Sequence, residues 1–489
     1  MGISNVAVKT FDSTGSQSLC RTNDYSGTEE VSSSFLSRCK KLYISGTGET
    51  IIPGSLNKFP TSGSIDTFYI NSDTDSISDM TLNVEFKFSG SSVYQAYVSK
   101  DIILSLINKI EIQVGHLTIQ TLTADDIYVR NLTEIVTPCH LHGPLQENNN
   151  ISTELPISHY TCASGDVVKM QASCSIPFAG RSNKMDTAFL QSGALTNSIT
   201  VKVHYNNLYP TVAGSSVQVI SGTAGTAGSQ VTTKFLDENY FKSTIKTRTH
   251  VITSIEKNYI QKNIINRVLK TSSNVTKTIE KNTSVTNLTG DTVDFEIDLE
   301  NITHNVSHLI IGLRLPHVDN KTISRRTNSY DPSNQSSVLT VDGVSTPFSE
   351  INPKSLFGGG AAHYDVFGYM PNSIDSIELV IGSDRTGFMS GSSTLITNAE
   401  GFGLQAINSK SLYLISLGES AFDTAGVPFS KTNNKKLIIK LNKDIFNKNG
   451  SSNAGNSLND ATISQNAIVS VTACGTKVQT IVGGSMSFS

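Results

Sequence analysis

Apolar and polar residues alternate in short runs along most of this chain. From Met80 to Phe88 the apolar side chains are Met80, Leu82, Val84, Phe86 and Phe88, each separated by one polar residue. Alternate side chains of a strand point to opposite faces, so this run predicts a strand with one dry and one wet face. Ile110, Ile112 and Val114 repeat the pattern. Gly115-His116 then leads into Leu117-Thr118-Ile119, which predicts a hairpin. Ile199 to Tyr205 predicts another strand. Farther along, Val293 to Leu299 alternates cleanly, and Ser307 to Leu313 reads as a more buried strand. Ile374 to Ile381 runs into a turn at Gly382-Ser383-Asp384. Leu412 to Ser416, Lys436 to Leu441 and Ala467 to Thr472 complete the series.

Helical periodicity is rare. The best candidate runs from Thr123 to Val136. Thr123 can cap it, Asp125 and Asp126 suit the positive end of the helix dipole, and Ile127, Leu132 and Ile135 form an apolar side. Pro138 ends it. Between Pro210 and Thr233 the pattern lapses into Gly, Ser, Thr, Ala and Val, including Ser221 to Ser229, which predicts a linker or a long exposed loop. Lys246 to Lys270 carries several basic residues and reads as a helix or strand with a solvated basic face.

The two stretches on either side of this lapse are of one kind: many strands, long connections and few helices. Turn-separated strands point to an all-β chain of two antiparallel sandwiches. The expected organisation is a polar, unpatterned arm over residues 1–30, a first sandwich over 31–207, a linker or loop over 208–233 and a second sandwich over 234–489.

Composition removes other classes. Charged residues are 16% of the 489 positions, and 38 basic residues against 41 acidic ones leave a net charge of −3. Coiled coils need far more Ala, Glu, Lys and Leu, and a nucleic-acid binder working by bulk charge needs a basic excess. The 37% apolar content is enough to bury a sizeable core, against global disorder. Met1 to Cys20 has no basic stretch leading into an apolar run, and Val6 stands where a myristoylation signal wants Ser or Thr. No run approaches the ~18 apolar residues of a membrane span. The expected place of synthesis is a cytoplasm.

The chemistry-bearing motifs are weak. The six cysteines (Cys20, Cys39, Cys139, Cys162, Cys174 and Cys474) form no CxxC pair and fit reduced thiols better than a disulfide framework. Cys139-His140-Leu141-His142 offers metal ligands without a second pair at finger-like spacing, so a loop after Pro138 is the plainer reading. Gly358 to His363 is Gly-rich but lacks the strand–loop–helix setting of a phosphate cradle. Asp125/Asp126 and Glu29/Glu30 read as a helix start and a solvated loop rather than a glycosidase pair. There is no GxSxG, HExxH or P-loop. No catalytic, cofactor-binding or metal-binding residue is assigned, and no enzyme activity is expected. Sequons at Asn131, Asn150, Asn274, Asn282, Asn287, Asn301, Asn305, Asn320, Asn334 and Asn449 are read as a consequence of Asn-, Ser- and Thr-rich composition.

The order of several segments resembles the double jelly-roll major capsid proteins of large eukaryotic DNA viruses. Ile65 to Ile70 with Ile77 to Phe88 is similar to the family's first paired strands. Ile107 to Gly115, followed by the helix, resembles a segment of the form I-x-x-V-E-I-x-I-G-G that runs into a helix ending near N-x-L-T. Asn131-Leu132-Thr133 holds that ending, while His116 replaces the second glycine. Ser175-Ile176-Pro177-Phe178-Ala179 with Leu190 to Tyr205 resembles an L-P-F-W-F strand and the last strand of the first jelly roll. Phe235-Leu236-Asp237-Glu238 resembles the opening of the second domain, without its Arg. Ile297 to His304 with Val306 to Leu313 is similar to an L-x-F-N-H-P-V-K-E-L-x-W segment. Ala425 to Lys431 with Asn433-Asn434 is similar to P-S-G-T-x-N-F-S-R-x-D-N, and Val469 to Ser485 resembles the final strand with its Gly-rich ending. The N-terminus and the absence of tryptophan depart from the pattern, so the chain reads as a divergent member.

The resemblance implies two tandem eight-stranded antiparallel jelly rolls with long loops and a few short helices. It implies a structural protein that self-assembles into homotrimeric, pseudohexameric capsomers tiling an icosahedral shell. Expected partners are neighbouring capsomers, minor capsid or penton proteins and an internal membrane beneath the shell, with no direct nucleic-acid contact and no cofactor. The expected location is the virion, after synthesis in the host cytoplasm. Long polar insertions at 142–160, 210–233, 318–350, 384–410 and 447–460 could form a tower above the sandwiches. The competing readings are a cell-surface adhesin or S-layer-like β-sandwich protein, and a carbohydrate-binding module, which zero Trp disfavours.

Overall fold

Alternation becomes antiparallel pairing almost everywhere the sequence predicts it. The computed structural model describes residues 44–61, 63–70, 75–89, 94–99, 102–135, 140–142, 157–162, 167–179, 192–206, 217–221, 236–252, 265–279, 294–314, 338–341, 344–347, 374–385, 389–396, 404, 412–418, 426–441, 467–482 and 485–488. The expected arm over 1–30, the insertion at 447–460 and the Gly358 to His363 stretch lie outside the described residues.

The first half contains β1 (Ile44–Pro53), β2 (Ile65–Ile70), β3 (Ser76–Ser89), β4 (Tyr94–Ser99), α1 (Ile102–Leu106), β5 (Ile107–Val114), β6 (Leu117–Thr123), α2 (Ala124–Ile135), β7 (His140–His142), β8 (Ile157–Cys162), β9 (Val167–Ser175), β10 (Ile199–Tyr205) and β11 (Val217–Ser221). Then come β12 (Leu236–Ile252), β13 (Ile265–Ile279), β14 (Asp294–Asp298), β15 (Asn305–Arg314), β16 (Val338–Val341), β17 (Val344–Pro347), β18 (Ile374–Ile381), β19 (Asp384–Arg385), β20 (Met389–Ser390), β21 (Leu412–Ser416), β22 (Val427–Pro428), β23 (Lys435–Leu441), β24 (Ala467–Val482) and β25 (Ser485–Phe488).

Four sheets make two sandwiches. In the first, β1-β12-β3-β9-β7 faces β2-β10-β5-β6; in the second, β13-β24-β15-β21 faces β14-β23-β18-β19. The order is the same in both halves once the extra edge strand β7 is set aside. The buried faces are those the alternation names. Met80, Leu82, Val84 and Phe86 meet Ile110, Ile112, Val201 and Val203 in the first core, while Leu309, Ile311 and Leu313 meet Ile297, Leu437 and Ile439 in the second. Each such side chain contributes roughly 2 kcal/mol on leaving water. Phe241 stacks edge-on with Phe59 and Tyr205, both at 5.6 Å between ring centroids.

The turns follow the sequence. Gly115 joins β5 to β6 with φ 58° and Gly382 joins β18 to β19 with φ 65°, in the left-handed region where a Cβ is strained. The helix runs over Ala124–Ile135, within one residue of the expected span. Its cap is reciprocal: the Asp126 N–H donates to Thr123 Oγ1 at 3.2 Å, and the Thr123 N–H donates to Asp126 Oδ2 at 3.0 Å.

One expectation is displaced. The resemblance puts Phe235 to Glu238 at the opening of the second sandwich, yet β12 pairs with β1 and β3 over nearly its whole length. It is the last strand of the first sandwich, so the lapse at 208–233 does not divide the sheets. Within that lapse β11 pairs with β4, which also pairs with β8 at the end of the 142–160 insertion. The 318–350 insertion contains the β16–β17 hairpin. The basic stretch from Lys246 begins on β12, where Lys246 and Arg248 face outward between buried Ile245, Thr247 and Thr249.

Candidate functional site

Two features carry chemistry: a buried polar seam that fixes one sandwich against the other, and a set of exposed strand faces.

The seam starts with α2. It follows β6 of the first sandwich and packs on both β13 and β24 of the second. Its polar side chains are buried along with its apolar ones. Arg130 forms an ion pair with Glu134 at 2.9 Å, with side chains 3% and 12% exposed. Arg130 also donates to the Pro177 carbonyl, and Asn131 Nδ2 donates to the Ser175 carbonyl at 2.7 Å. The Ala179 N–H donates to Gln120 Oε1 at 2.7 Å. Thus Asn131-Leu132-Thr133 and Ser175 to Ala179, two segments singled out in the sequence, are hydrogen-bonded to one another.

The other wall of the seam is the outer face of the β13-β24-β15-β21 sheet. Ile310, Leu412 and Cys474 belong to the same continuous core as the first sandwich. Ser307 Oγ lies 2.9 Å from His308 Nδ1 and donates to the Cys474 carbonyl. His304 Nδ1 lies 3.4 Å from Ser273 Oγ.

Burial dominates the electrostatics here. It lowers His308 to about 3, with Glu134 opposing and Arg130 and Lys270 adding to the drop. It lowers His304 to about 4, helped by Lys477. It raises Asp126 to about 6 against the hydrogen bonds from Thr123, and pushes the Cys474 thiol up to about 12. Burial works against the Arg130 charge, yet Glu134, Cys474 and Asp126 together outweigh it and hold the guanidinium pKa above its ordinary value. A closed site with neutral histidines and a compensated ion pair is suited to holding two bodies together rather than to proton transfer on a substrate.

Asp125/Asp126 sit at the helix start, as the plainer reading had it. His140 and His142 lie on β7 beside β9, with Cys139 outside the described residues. Among the described residues no cluster of three His, Cys, Asp or Glu could hold a metal. Cys174 and Cys474 are buried free thiols. The sequon Asn131 is fully buried. Asn274 donates to Ser470 Oγ and Thr472 Oγ1, so both amides are engaged in the fold, while Asn301 and Asn305 are exposed.

On the surface, the outer face of β12, β3 and β9 is a polar network. Lys87 Nζ sits 3.6 Å over the Tyr240 ring, Tyr240 donates to Glu85, and Gln171 donates to Glu85 at 3.0 Å. The bond to Glu85 pushes the Tyr240 hydroxyl up to about 12. Lys246 pairs with Glu49 at 2.7 Å. Ile51 (65% exposed) on β1 and Tyr69 (63%) on β2 leave large apolar side chains in water on edge strands.

No family model matches the sequence, and no curated protein does. Solved structures do. The chain is similar to PBCV-1 Vp54, as fitted into a reconstruction of the virophage Sputnik, with a TM-score of 0.58 and 12% identity over 91% of this chain and 97% of that one. A quasi-atomic model of the PBCV-1 capsid gives 0.57, 12%, 91% and 97%. The Faustovirus major capsid protein gives 0.52, 10%, 90% and 92%. The shared fold is the double jelly roll.

Proposed function

We propose that this chain is the major subunit of an icosahedral virus capsid. Three copies form a pseudohexameric capsomer, and capsomers tile the shell. The observation that carries the reading is the repeated strand order, one wedge per half of the chain, in a fold that spans over nine-tenths of its length. Three chains of two similar wedges supply six, and six wedges fill a hexagonal tile. The rigid seam supports this, since a tile needs its wedges at a fixed angle. The adhesin or S-layer reading fits less well: sandwiches strung along a stalk need no shared core, whereas Ile310, Leu412 and Cys474 join the first core here.

On this reading the protein resides in the virion after synthesis in the host cytoplasm and performs no reaction of its own. Neighbouring capsomers, minor or penton proteins and an underlying membrane are its partners, and the long insertions form the outer tower. Near-neutral charge suits many copies packed side by side. Negative-stain images of the purified protein test the reading. Six-lobed, three-fold particles are expected; single two-lobed particles at every concentration would overturn it.

A further inference from the structure

The repeated strand order allows equivalent edges of the two sandwiches to be compared. β2 ends the β2-β10-β5-β6 sheet, and β14 ends the β14-β23-β18-β19 sheet. The two edges are built differently.

On the first edge, the Tyr205 N–H donates to the directly opposite Ser64 carbonyl at 2.9 Å. Bonded and unbonded pairs alternate along an antiparallel ladder, so Asp66, Phe68 and Ile70 also bond inward to β10. Ile65, Thr67 and Tyr69 therefore aim their N–H and C=O groups away from the sheet. Among the described residues no hydrogen bond reaches those groups. The same residues turn their side chains outward, with Ile65 45% and Tyr69 63% exposed. No charge, proline or bulge guards these outward positions.

On the second edge, the Leu299 N–H donates to the opposite Lys435 carbonyl at 2.9 Å, which turns Glu296 and Asp298 outward by the same rule. Both side chains are exposed, and the Lys277 ammonium donates to the outward Glu296 carbonyl. A second strand of this kind would meet like charge and an occupied acceptor, so β14 is guarded.

β2, by contrast, complements itself. Set antiparallel to another β2 about a two-fold axis at Thr67, each Thr67 faces the other, and each Ile65 faces the Tyr69 of the second copy. All the outward backbone groups then find partners, and apolar side chains lie opposite apolar ones. A shift of two residues leaves one Ile65 or Tyr69 of each strand unpaired.

We infer that β2 docks β2 of a second copy of this chain, antiparallel and centred on Thr67, joining two four-stranded sheets into one continuous sheet. A two-fold contact is isologous and has no place inside a three-fold tile, so it links one tile to the next. It rests on the edge itself rather than on the tile reading. One strand pair is a small contact, suited to an assembly that repeats it many times.

Oxidative cross-linking of the full-length chain tests it. Opposite residues of a bonded pair have Cα atoms about 5.5 Å apart, within disulfide reach. Thr67→Cys chains are expected to form covalent dimers at least tenfold faster than wild type, whose own thiols set the background, or Glu296→Cys on the guarded edge. Ile65→Cys chains mixed with Tyr69→Cys chains are expected to cross-link faster than either alone. Thr67→Pro removes one outward N–H, spares the bonds to β10, and is expected to weaken association between tiles at least tenfold. If the proline lowers the thermal midpoint, I65K/Y69K replaces it, with the same loss expected. Thr67→Cys dimers forming no faster than Glu296→Cys dimers would overturn the inference, as would equal rates for the mixed and unmixed chains. Three-fold particles alongside that result would leave the tile reading standing. Thr67→Cys dimers without three-fold particles would overturn the tile reading alone.

Discussion

Asp66 on β2 accepts the hydroxyl hydrogen of Ser243 on β12, joining the two sheets of the first sandwich across 177 residues of sequence. The same carboxylate accepts from the Ser55 N–H at 2.6 Å and the Ser55 hydroxyl at 2.9 Å. Asp66 is fully buried, and this clamp is the compensation for its burial. Gly54 makes room for it, since a Cβ there would lie 2.0 Å from Ser243 Oγ and 2.3 Å from Asp66 Oδ2. Asp66→Ala strands these donors and is expected to cost about 3 kcal/mol. Gly54→Ala is expected to destabilise the fold as well, by forcing the clamp apart. Denaturant unfolding measures both; losses below about 0.5 kcal/mol, the ordinary range for surface changes, would contradict the clamp.

The Arg130–Glu134 pair gives a second prediction. Removing one partner leaves a buried charge, so Arg130→Met is expected to cost roughly 3–5 kcal/mol, whereas replacing both with apolar residues costs less. The check is a double-mutant cycle with Glu134→Leu. A double variant less stable than Arg130→Met would show that the pair does not act as a unit.

Acid stability follows from the seam histidines. Their folded pKa values, about 3 for His308 and about 4 for His304, lie below the ordinary 6.5. Stability from keeping them neutral is present above about pH 6.5 and is lost as pH falls toward the folded values. By pH 4 each withdraws about 3 kcal/mol. Asp126 has the opposite sign. Its folded pKa of about 6 exceeds the ordinary 3.8, so its contribution is full below 3.8 and is lost as pH rises through 6. It returns about 3 kcal/mol on acidification. The net expectation is a fall in melting temperature between pH 6.5 and 4 that His308→Asn flattens and Asp126→Asn steepens. Unchanged slopes in both variants would contradict it.

Lys435 predicts a fourth effect. Its side chain is 3% exposed, and Nζ donates to the carbonyls of Phe429 at 2.6 Å, Ile302 at 3.1 Å and Glu300 at 3.4 Å. It ties the β14–β15 connection to the turn at Phe429–Lys431. Lys435→Met keeps the length and removes the donors, and about 2 kcal/mol of stability is expected to go with them. Calorimetry showing no loss would contradict this role.

Strands were legible because alternation reports which residues share a face. Met80 to Phe88 and Ile199 to Tyr205 lie as the pattern predicts. Alternation does not report which sheet a strand joins. For that reason the sequence pattern puts β12 in the wrong sandwich: its partners on β1 and β3 lie between about 150 and about 210 residues earlier, and the polar lapse before it imitates a boundary. The seam was half legible. Thr123 and Asp126 announced the helix start. The burial of Arg130 and Glu134 is not announced, and neither is that of Lys435 inside the second sandwich, because a charged residue looks the same in sequence whether water or a buried partner satisfies it.

The mass of the purified full-length protein in solution tests the central claim most directly. Size-exclusion light scattering at micromolar concentration is predicted to give about 158 kDa, three times the 52.6 kDa chain. A single species at the mass of one chain, with no larger assembly at any concentration, would contradict it.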